Sequence, residues 1–194
     1  MEINYGSLRA ELRSRMIRRR QELSIEEKVN AQTKIMDTLS QLVPIQTAQT
    51  IMAFAAIRNE VDVSAFLEVQ QQSGKTILLP RVEGNELAAV KWEGWQETTV
   101  SSFGIAEPVG SAFPSQEIDV VLVPGLVFDG NGYRLGYGRG FYDRFLSSLR
   151  SDTFKCGICY EFQVVDNIYP HERDVPVHWI VTEQSELLIA GEFF

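Results

Sequence analysis

Cysteines, long apolar runs and positive net charge are all scarce in this sequence. Two cysteines in 194 residues are too few for the disulphide framework of a small secreted domain. No apolar run approaches the roughly 18 residues of a transmembrane helix, and the amino-terminal segment lacks the apolar core of a secretory signal. A formal net charge of −8 argues against nucleic acids and anionic membranes as partners. We therefore predict a cytoplasmic protein that binds neither.

The rest of the composition is typical of a globular protein, because 44% of the residues are hydrophobic and 23% are charged. A chain of 194 residues can bury the core of one α/β domain but is short for two. No internal repeat, low-complexity tract or linker divides it. We expect a single domain over residues 1–194, acting as a monomer.

Short apolar segments alternate with helical patterns along the chain. Helices are predicted over residues 6–23, over 25–42, and from a cap at Asp62 to Ser73-Gly74. Strands are predicted over residues 50–57, 75–80, 87–92, 118–125, 154–161 and 177–182. Ser24 and Glu27 have capping-box spacing, strand 87–92 should lie near an edge, and residues 93–117 should be irregular. This alternation predicts an α/β fold with a mostly parallel sheet covered on both faces.

Cys156 and Cys159 have the C-x-x-C spacing of redox and zinc sites. A redox pair belongs at a helix N-terminus, whereas these two lie in a predicted strand, where residues three apart point to opposite faces. A zinc site needs a second pair of ligands, and we interpret the chain's two histidines, His171 and His178, as structural. We expect both cysteines in the core of a protein from a reducing compartment.

The most informative segment is PGLVFDGNGYRLGYGRGFYDRFL, residues 124–146. Alternate positions hold glycines, namely Gly136, Gly138 and Gly140. They lie between the predicted strand and an amphipathic run with Phe141, Phe145 and Leu149 on one face. Glycines let backbone N–H groups approach a bound group, and a helix N-terminus adds donors and partial positive charge. Strand, glycine loop and helix in this order predict an anion site, usually one for phosphate.

Three charged side chains extend this interpretation, with alternatives that the residues leave open. Arg134 and Arg139 would supply mobile positive charge, and Asp143 in the first helical turn could hold a metal ion that bridges phosphates. The segment is neither a Walker A loop nor a G-x-G-x-x-G fingerprint. A tight turn without a ligand, and an Asp143 that only favours the helix dipole, remain alternatives.

Several polar residues follow predicted strands, where ligands bind in open α/β sheets. Glu60 follows the first strand, Arg81 the second, and residues 161–163 the cysteine strand. One cleft could gather them with the glycine loop. Taken alone, Glu60 is more simply a capping or surface carboxylate.

The first helix carries a third of the basic residues: Arg9, Arg13, Arg15, Arg18, Arg19 and Arg20. A solvated basic face, a nucleic-acid helix and a triphosphate clamp are all consistent with it. Arg9 and Arg13 are one turn apart and can reach one ligand together.

As a whole string, RLGYGRGFYDRFL preceded by PGLVFD resembles the signature of the 5-formyltetrahydrofolate cyclo-ligase family, also called 5,10-methenyltetrahydrofolate synthetases. Further segments resemble family blocks in the same order: LRAELRSRMIRRRQELS (8–24), FAAIRNEVDVSAFL (54–67), LLPRV (78–82), FGIAEP (103–108), YEFQ (160–163) and ERDVPVHWIVTE (172–183). The resemblance implies the three-layer α/β/α fold of sugar-phosphate isomerases and coenzyme A transferases. It also implies Mg²⁺- and ATP-dependent conversion of 5-formyltetrahydrofolate to 5,10-methenyltetrahydrofolate, with release of ADP and phosphate.

The resemblance also implies roles for individual residues. ATP-binding residues would be Arg9, Arg13, Arg134, Leu135, Gly136, Tyr137, Gly138, Arg139, Gly140, Phe141 and Tyr142, and of these Arg134, Arg139 and Tyr142 would be catalytic. Folate-binding residues would be Ala55, Glu60, Tyr137, Gly138, Arg139, Gly140 and Phe141. Asp143 and Asp174 would hold Mg²⁺. Glu60 would accept adjacent N–H donors of the pterin ring.

The sequence departs from the family pattern at four positions. Arg9 replaces a lysine, Phe141 replaces a tyrosine, Arg173 stands where histidine or asparagine is usual, and His178 replaces a frequent aspartate. Two rival hypotheses therefore remain: an ATP-dependent enzyme of the same family with another substrate, and a nucleic-acid-binding module that uses the arginine helix.

Overall fold

The computed structural model describes residues 4–102 and 104–189. The helices are α1 (Tyr5–Gln21), α2 (Ile25–Gln41), α3 (Val43–Thr47), α4 (Ser64–Gln72) and α5 (Phe141–Ser147). The strands are β1 (Thr50–Met52), β2 (Thr76–Glu83), β3 (Glu86–Lys91), β4 (Thr98–Val100), β5 (Ala106–Pro108), β6 (Val120–Pro124), β7 (Val127–Asp129), β8 (Arg134–Leu135), β9 (Phe154–Ile158), β10 (Val164–Val165), β11 (Trp179–Val181) and β12 (Glu186–Leu188). Phe103, which begins one of the matched blocks, lies outside the described residues.

The main sheet has seven strands in the order β12-β11-β9-β6-β1-β2-β3. Its five central strands are parallel, and β3 and β12 pair antiparallel at the two edges. The predicted α/β class, the mostly parallel sheet and the edge position of residues 87–92 are therefore confirmed. No helix among the described residues is long and apolar enough to cross a membrane.

Both faces of the sheet are buried, and β6 shows how the sequence achieves this. Val120 and Leu122 pack in the cluster under α2, α3 and α4, whereas Val121 and Val123 pack in the cluster that contains α5. Successive side chains of a strand point to opposite faces, so a continuous apolar run can serve two layers. The same rule separates the buried, free Cys156 and Cys159 between the two clusters, as predicted.

The first strand is shorter than predicted, and this difference shapes the cleft. Residues 50–57 were expected to form one strand, but β1 ends at Met52 and the chain then leaves the sheet. Arg58 and Asn59 have φ angles of 48° and 58°, a region that side chains rarely adopt. The chain therefore turns sharply just before Glu60. Strand β6 likewise covers only Val120–Pro124 of the predicted 118–125.

A hairpin that the sequence analysis did not predict stands between β6 and the glycine loop. Strands β7 and β8 pair antiparallel, and the Asp129 side chain accepts the backbone N–H groups of Asn131 and Tyr133 across the turn. Gly132 closes the turn with φ of 83°, and a Cβ there would lie 2.6 Å from the Val177 carbonyl oxygen. Asp-Gly and Asn-Gly are recognised turn signals. Arg134 and Leu135 consequently lie in a strand rather than in the loop.

Further boundaries differ. Strand β9 ends at Ile158 rather than at residue 161, so Cys159 lies just beyond it, and β11 begins at Trp179 rather than at residue 177. Helix α4 begins at Ser64, with Val63 rather than Asp62 as its N-cap.

Residues 93–117 contain the β4–β5 hairpin and are not wholly irregular. Helix α5 ends at Ser147, so the predicted amphipathic face stops short of Leu149. The hydroxyls of Ser147 and Ser148 donate to carbonyls three residues earlier, an alternative to continuing the helix.

Helix α1 packs away from the main sheet, on the three-stranded sheet β10-β7-β8. Met16 joins Leu126, Val127, Leu135 and Ile168 in that contact. This packing sets the polar edge of α1 beside the glycine loop. Helix α2 begins with the predicted capping box of Ser24 and Glu27.

Candidate active site

A cleft of about 810 Å³ opens beyond the carboxyl ends of the central strands. Most of the predicted site residues line it, namely Arg9, Arg13, Ala55, Glu60, Arg134, Gly136, Tyr137, Gly138, Arg139, Gly140, Phe141, Tyr142, Asp143 and Asp174. Leu135 does not, because its side chain is buried in the α1 cluster. Neighbouring residues of a strand point to opposite sides, so β8 turns Arg134 towards the cleft and Leu135 away from it.

The expected convergence on one cleft is wrong for Arg81 and for residues 161–163, since neither lines it. The Arg81 guanidinium donates to the Gly110 carbonyl at 2.7 Å and so anchors the segment after β5. The Glu161 carboxylate accepts the Ser185 hydroxyl at 2.7 Å, and the Gln163 amide donates to the carbonyls of Gly125 and Leu126.

The glycine loop presents an open backbone to the cleft. A Cβ added at Gly136 or Gly138 would meet no atom within 4 Å, so nothing in the described chain fills the space beside them. Gly138 and Gly140 have φ angles of 97° and 66°, which favour glycine. The Gly136 carbonyl accepts a hydrogen bond from Arg13 Nε at 2.8 Å, which joins α1 to the loop.

Two arginine–aspartate pairs stand at this end of the cleft. Arg134 Nη2 lies 2.9 Å from Asp143 Oδ1, and Arg9 Nη2 lies 3.2 Å from Asp174 Oδ2. Arg134 is 4% exposed and also donates to the Val175 carbonyl at 2.6 Å. The expectation of a mobile Arg134 is therefore wrong, because burial and two hydrogen bonds hold it in place. Burial lowers the pKa of Arg134, and the charge of Asp143 opposes that shift.

Each of the two aspartates uses one carboxylate oxygen and leaves the other open. Asp143 Oδ1 also accepts the Val175 N–H at 3.2 Å, and Asp174 Oδ2 accepts the His171 N–H at 2.9 Å. Asp143 Oδ2 and Asp174 Oδ1 accept no hydrogen bond from any described residue. Residues 4–102 and 104–189 contain no cluster of three or more His, Cys, Asp or Glu side chains that could hold a metal unaided.

Glu60 lines the cleft from another segment, the turn after β1. Its Oε2 accepts the Ile57 N–H at 3.2 Å, and its Oε1 lies 3.4 Å from Arg20 Nη1. Burial raises the pKa of Glu60, and the nearby charge of Arg20 opposes the rise. Ala55, in the same segment, is half-buried and also lines the cleft.

Two tyrosines, Tyr137 and Tyr142, also line the cleft. The Tyr137 hydroxyl accepts from Arg20 Nη2 at 2.7 Å, and the Arg58 guanidinium lies 5.0 Å from the centre of its ring. The Tyr142 hydroxyl is buried with no hydrogen-bond partner among the described residues, and burial raises its pKa. An unpaired buried hydroxyl is costly, so Tyr142 has a donor available for a ligand.

Three residues of this region were not among those predicted for the site. Arg20 is one of them, although it lies four residues after the buried Met16 and is 1% exposed. That helical spacing was the available signal. Arg58 and His171 also line the cleft, although no ligand role was predicted for either. His178 is structural as predicted, because its Nδ1 accepts the Lys155 N–H within the sheet.

Known proteins of one family resemble this chain in sequence and structure. Residues 6–183 match the model of the 5-formyltetrahydrofolate cyclo-ligase family. The chain is 29% identical over 175 residues to the 5-formyltetrahydrofolate cyclo-ligase of Escherichia coli, covering 86% of this chain and 96% of that protein. A solved structure of the Aquifex aeolicus 5,10-methenyltetrahydrofolate synthetase superposes with a TM-score of 0.83 at 33% identity, over 94% of this chain and 93% of that one. A solved structure of the Mycoplasma pneumoniae 5,10-methenyltetrahydrofolate synthetase superposes with a TM-score of 0.76 at 29% identity, over 90% of this chain and 98% of that one.

Proposed function

Because the chain belongs to the 5-formyltetrahydrofolate cyclo-ligase family, we propose that it converts 5-formyltetrahydrofolate to 5,10-methenyltetrahydrofolate at the expense of ATP. The observation that carries this assignment is the convergence of an open glycine loop, paired arginines and the buried Glu60 on one cleft. The glycine loop and the arginines suit a triphosphate, and Glu60 suits the pterin ring of the folate.

The glycine-loop wall is the proposed ATP site. Backbone N–H groups of residues 136–140 can reach phosphate oxygens because no Cβ fills the space at Gly136 or Gly138. Arg9, Arg13 and Arg139 border the same space and add positive charge. Helix α5 has only seven residues. The loop backbone and the arginines therefore supply more of the proposed site than the helix dipole, which acts only within the first turn.

The two aspartates fit a magnesium ion that arrives with the nucleotide. Mg²⁺ takes oxygen ligands, usually one or two carboxylates with substrate phosphates and water. Asp143 Oδ2 and Asp174 Oδ1 match this small donor set, and no third His, Cys, Asp or Glu side chain of the described residues forms a cluster with them. The ion would neutralise phosphate charge, while Arg134 and Arg9 hold the two carboxylates in position.

The Glu60 wall is the proposed folate site. A carboxylate can accept two adjacent N–H donors of a pterin, and such charge-assisted hydrogen bonds are strong in a site shielded from water. Ala55 and Phe141 border this part of the cleft. The Arg144 guanidinium lies 5.5 Å from the centre of the Phe141 ring. Phe141 offers the folate an aromatic ring but lacks the hydroxyl of the tyrosine that is usual in the family.

The reaction needs positioning and charge neutralisation rather than a covalent nucleophile. The formyl oxygen attacks the γ-phosphate and ADP leaves. N10 of the folate then attacks the activated carbon, N10 loses its proton, and phosphate departs with the former formyl oxygen. Arg134 and Arg139 would neutralise developing phosphate charge, and the buried Tyr142 hydroxyl would donate to an oxygen of the reacting group.

The direct test follows the absorbance of methenyltetrahydrofolate while the protein is incubated with 5-formyltetrahydrofolate. We expect the absorbance to rise only when ATP and Mg²⁺ are both present, with ADP formed in equal amount. An ATP-dependent thermal shift without turnover would instead favour a family member with another substrate, which a screen of reduced folates would then identify.

We also propose that the protein acts as a cytoplasmic monomer of one domain with the three-layer arrangement of sugar-phosphate isomerases and coenzyme A transferases. Free cysteines in the core suit a reducing compartment. Light scattering would measure the mass of the protein in solution and so test the monomer.

A further inference from the structure

Arg20 is a buried cation that the proposed reaction does not use directly. It lies near the carboxyl end of α1 and is 1% exposed. Its Nε and Nη1 atoms are buried and make no hydrogen bond with any described residue. Burying a guanidinium with unused donors is costly, so packing alone does not account for this residue.

The contacts of Arg20 join three separate segments. Nη1 lies 3.4 Å from Glu60 Oε1, in the turn after β1, and Nη2 donates to the Tyr137 hydroxyl at 2.7 Å, in the glycine loop. The Arg20 carbonyl accepts the Asn59 side-chain amide at 3.1 Å. One residue of α1 therefore touches the segment assigned to the folate and the segment assigned to ATP.

We propose that Arg20 is a positioning residue that aims Glu60 into the cleft and ties it to Tyr137 of the glycine loop. Arg20 does not itself line the cleft, so it acts through these two partners. This inference rests on the proposed function, because it assumes that Glu60 receives the folate. It adds a residue that the family resemblance did not assign.

The charge balance around Glu60 predicts a pH dependence. The groups that face Glu60 are Arg20 from α1, Arg58 from its own turn, Tyr137 and Tyr142 from the glycine loop and α5, and Tyr160 after β9. Burial raises the pKa of Glu60, while the positive charges of Arg20 and Arg58 oppose the rise. Without Arg20 the Glu60 pKa rises further. A protonated Glu60 accepts pterin hydrogen bonds poorly, so folate binding weakens first at low pH.

The test compares Arg20→Met and Arg20→Lys with Arg18→Met, an exposed control on the same helix. Initial rates are measured at saturating ATP over a range of folate concentrations and pH values. Arg20→Met should raise the Michaelis constant for the folate by about tenfold or more, as expected when a charge-assisted hydrogen bond between Glu60 and the folate is lost. The change in kcat should be smaller. The acid limb of kcat/KM should move to higher pH. Arg20→Lys keeps the charge and should recover much of both effects, and Arg18→Met should resemble the wild type.

Tyr137→Phe isolates the second contact. It removes the hydroxyl that Arg20 binds and leaves Arg20 beside Glu60, so the acid limb should stay in place. If a folded Arg20→Met protein keeps the wild-type Michaelis constant and pH profile, Arg20 only packs and the proposal is wrong. If Arg20→Met does not fold, Arg20→Lys becomes the decisive variant. An Arg20→Lys protein that folds but does not recover folate binding contradicts the proposal.

Folate-induced thermal shifts of the same proteins separate this inference from the proposed reaction. In one outcome, the wild type binds the folate without turnover while Arg20→Met binds it more weakly at low pH. That result supports the positioning role of Arg20 and refutes the proposed reaction. Turnover in the wild type with equal folate-induced shifts in all variants supports the proposed reaction and refutes the positioning role of Arg20. A wild type with neither turnover nor folate binding overturns both.

Discussion

Two arginine–aspartate pairs stand at opposite ends of the main sheet and differ in how fully their carboxylates are used. At the amino ends of the parallel strands, Asp119 Oδ1 accepts from Arg150, and Oδ2 accepts the backbone N–H groups of Gln49 and Thr50 at 2.8 and 2.9 Å. At the carboxyl ends, Asp143 Oδ1 accepts from Arg134, and its Oδ2 meets no described donor.

The comparison shows that burial does not separate structure from function here. The Arg134 side chain is 3% exposed and the Arg150 side chain 33%, so the pair assigned to the site is the more buried one. The feature that distinguishes Asp143 is a carboxylate oxygen that accepts no hydrogen bond from a described residue, on a side chain that lines the cleft. Asp119 is saturated and holds β1 beside β6. The same residue types therefore predict opposite mutational outcomes at the two ends.

The largest expected effect is that of Asp143→Asn, which removes the open negative charge. We expect turnover to fall by about 100- to 1,000-fold, comparable to the loss of one group that stabilises transition-state charge. The Mg²⁺ concentration for half-maximal activity should rise. Because Arg134 is buried against Asp143, the melting temperature should also fall, so the Mg²⁺ titration is the decisive measurement. A variant with an unchanged Mg²⁺ requirement would return Asp143 to the helix-dipole role. Asp174→Asn tests the second predicted ligand in the same titration.

Asp119→Asn should lower the stability of the protein and leave its catalysis unchanged. Asparagine keeps one acceptor oxygen but loses the charge that Arg150 and two backbone amides share, which should cost about 1–3 kcal/mol of unfolding free energy. The Michaelis constants and the Mg²⁺ requirement should stay at wild-type values. Denaturant unfolding beside the absorbance assay measures both. If Asp119→Asn impaired catalysis without lowering stability, the proposed difference between the two arginine–aspartate pairs would be wrong.

Alanine at two open glycines sharpens the comparison further. Gly136 and Gly130 both have room for a Cβ and neither has a positive φ, so alanine should fold normally at either position. Only Gly136 lines the cleft. Gly136→Ala should raise the Michaelis constant for ATP by about tenfold, through loss of roughly one hydrogen bond to phosphate. Gly130→Ala is the matched control. Equal ATP kinetics in the two variants would argue against the phosphate loop.

The smallest expected effect belongs to His178, at the amino-terminal end of β11. Burial and the nearby Lys155 lower its pKa to about 4, so the folded state keeps the imidazole neutral. The unfolded chain takes up a proton near pH 6.5, so the stabilisation is complete above that pH and is lost as the pH falls towards 4. Because His178 is half-buried, we expect a loss of only about 1–2 kcal/mol. His178→Asn retains an acceptor for the Lys155 N–H, and its unfolding free energy should change less over this range.

Much of the fold could be predicted because its signals are local. The continuous apolar run of β6 predicted a strand buried on both faces, and the three-residue spacing of Cys156 and Cys159 predicted opposite faces. The boundaries that were missed depend on competing local hydrogen bonds. Asp129 turns the chain into the β7–β8 hairpin, and the Ser147 and Ser148 hydroxyls accompany the early end of α5.

The sequence alone determined the sheet type and the family, and every residue that the family resemblance assigned to the site except Leu135 lines the cleft, since glycine spacing, strand patterns and motif strings are short-range features. Only the tertiary structure decided which of these side chains are fixed in place by ion pairs and hydrogen bonds, and which residues are their partners. Arg20 and Glu60 are 40 positions apart, and Arg9 and Asp174 are 165 apart. No local pattern encodes such pairs, because their distance depends on how α1, the turn after β1 and the glycine loop pack together. That packing turned Arg134 from an expected mobile charge into a buried anchor, and Arg20 from a surface arginine into the link between the two walls.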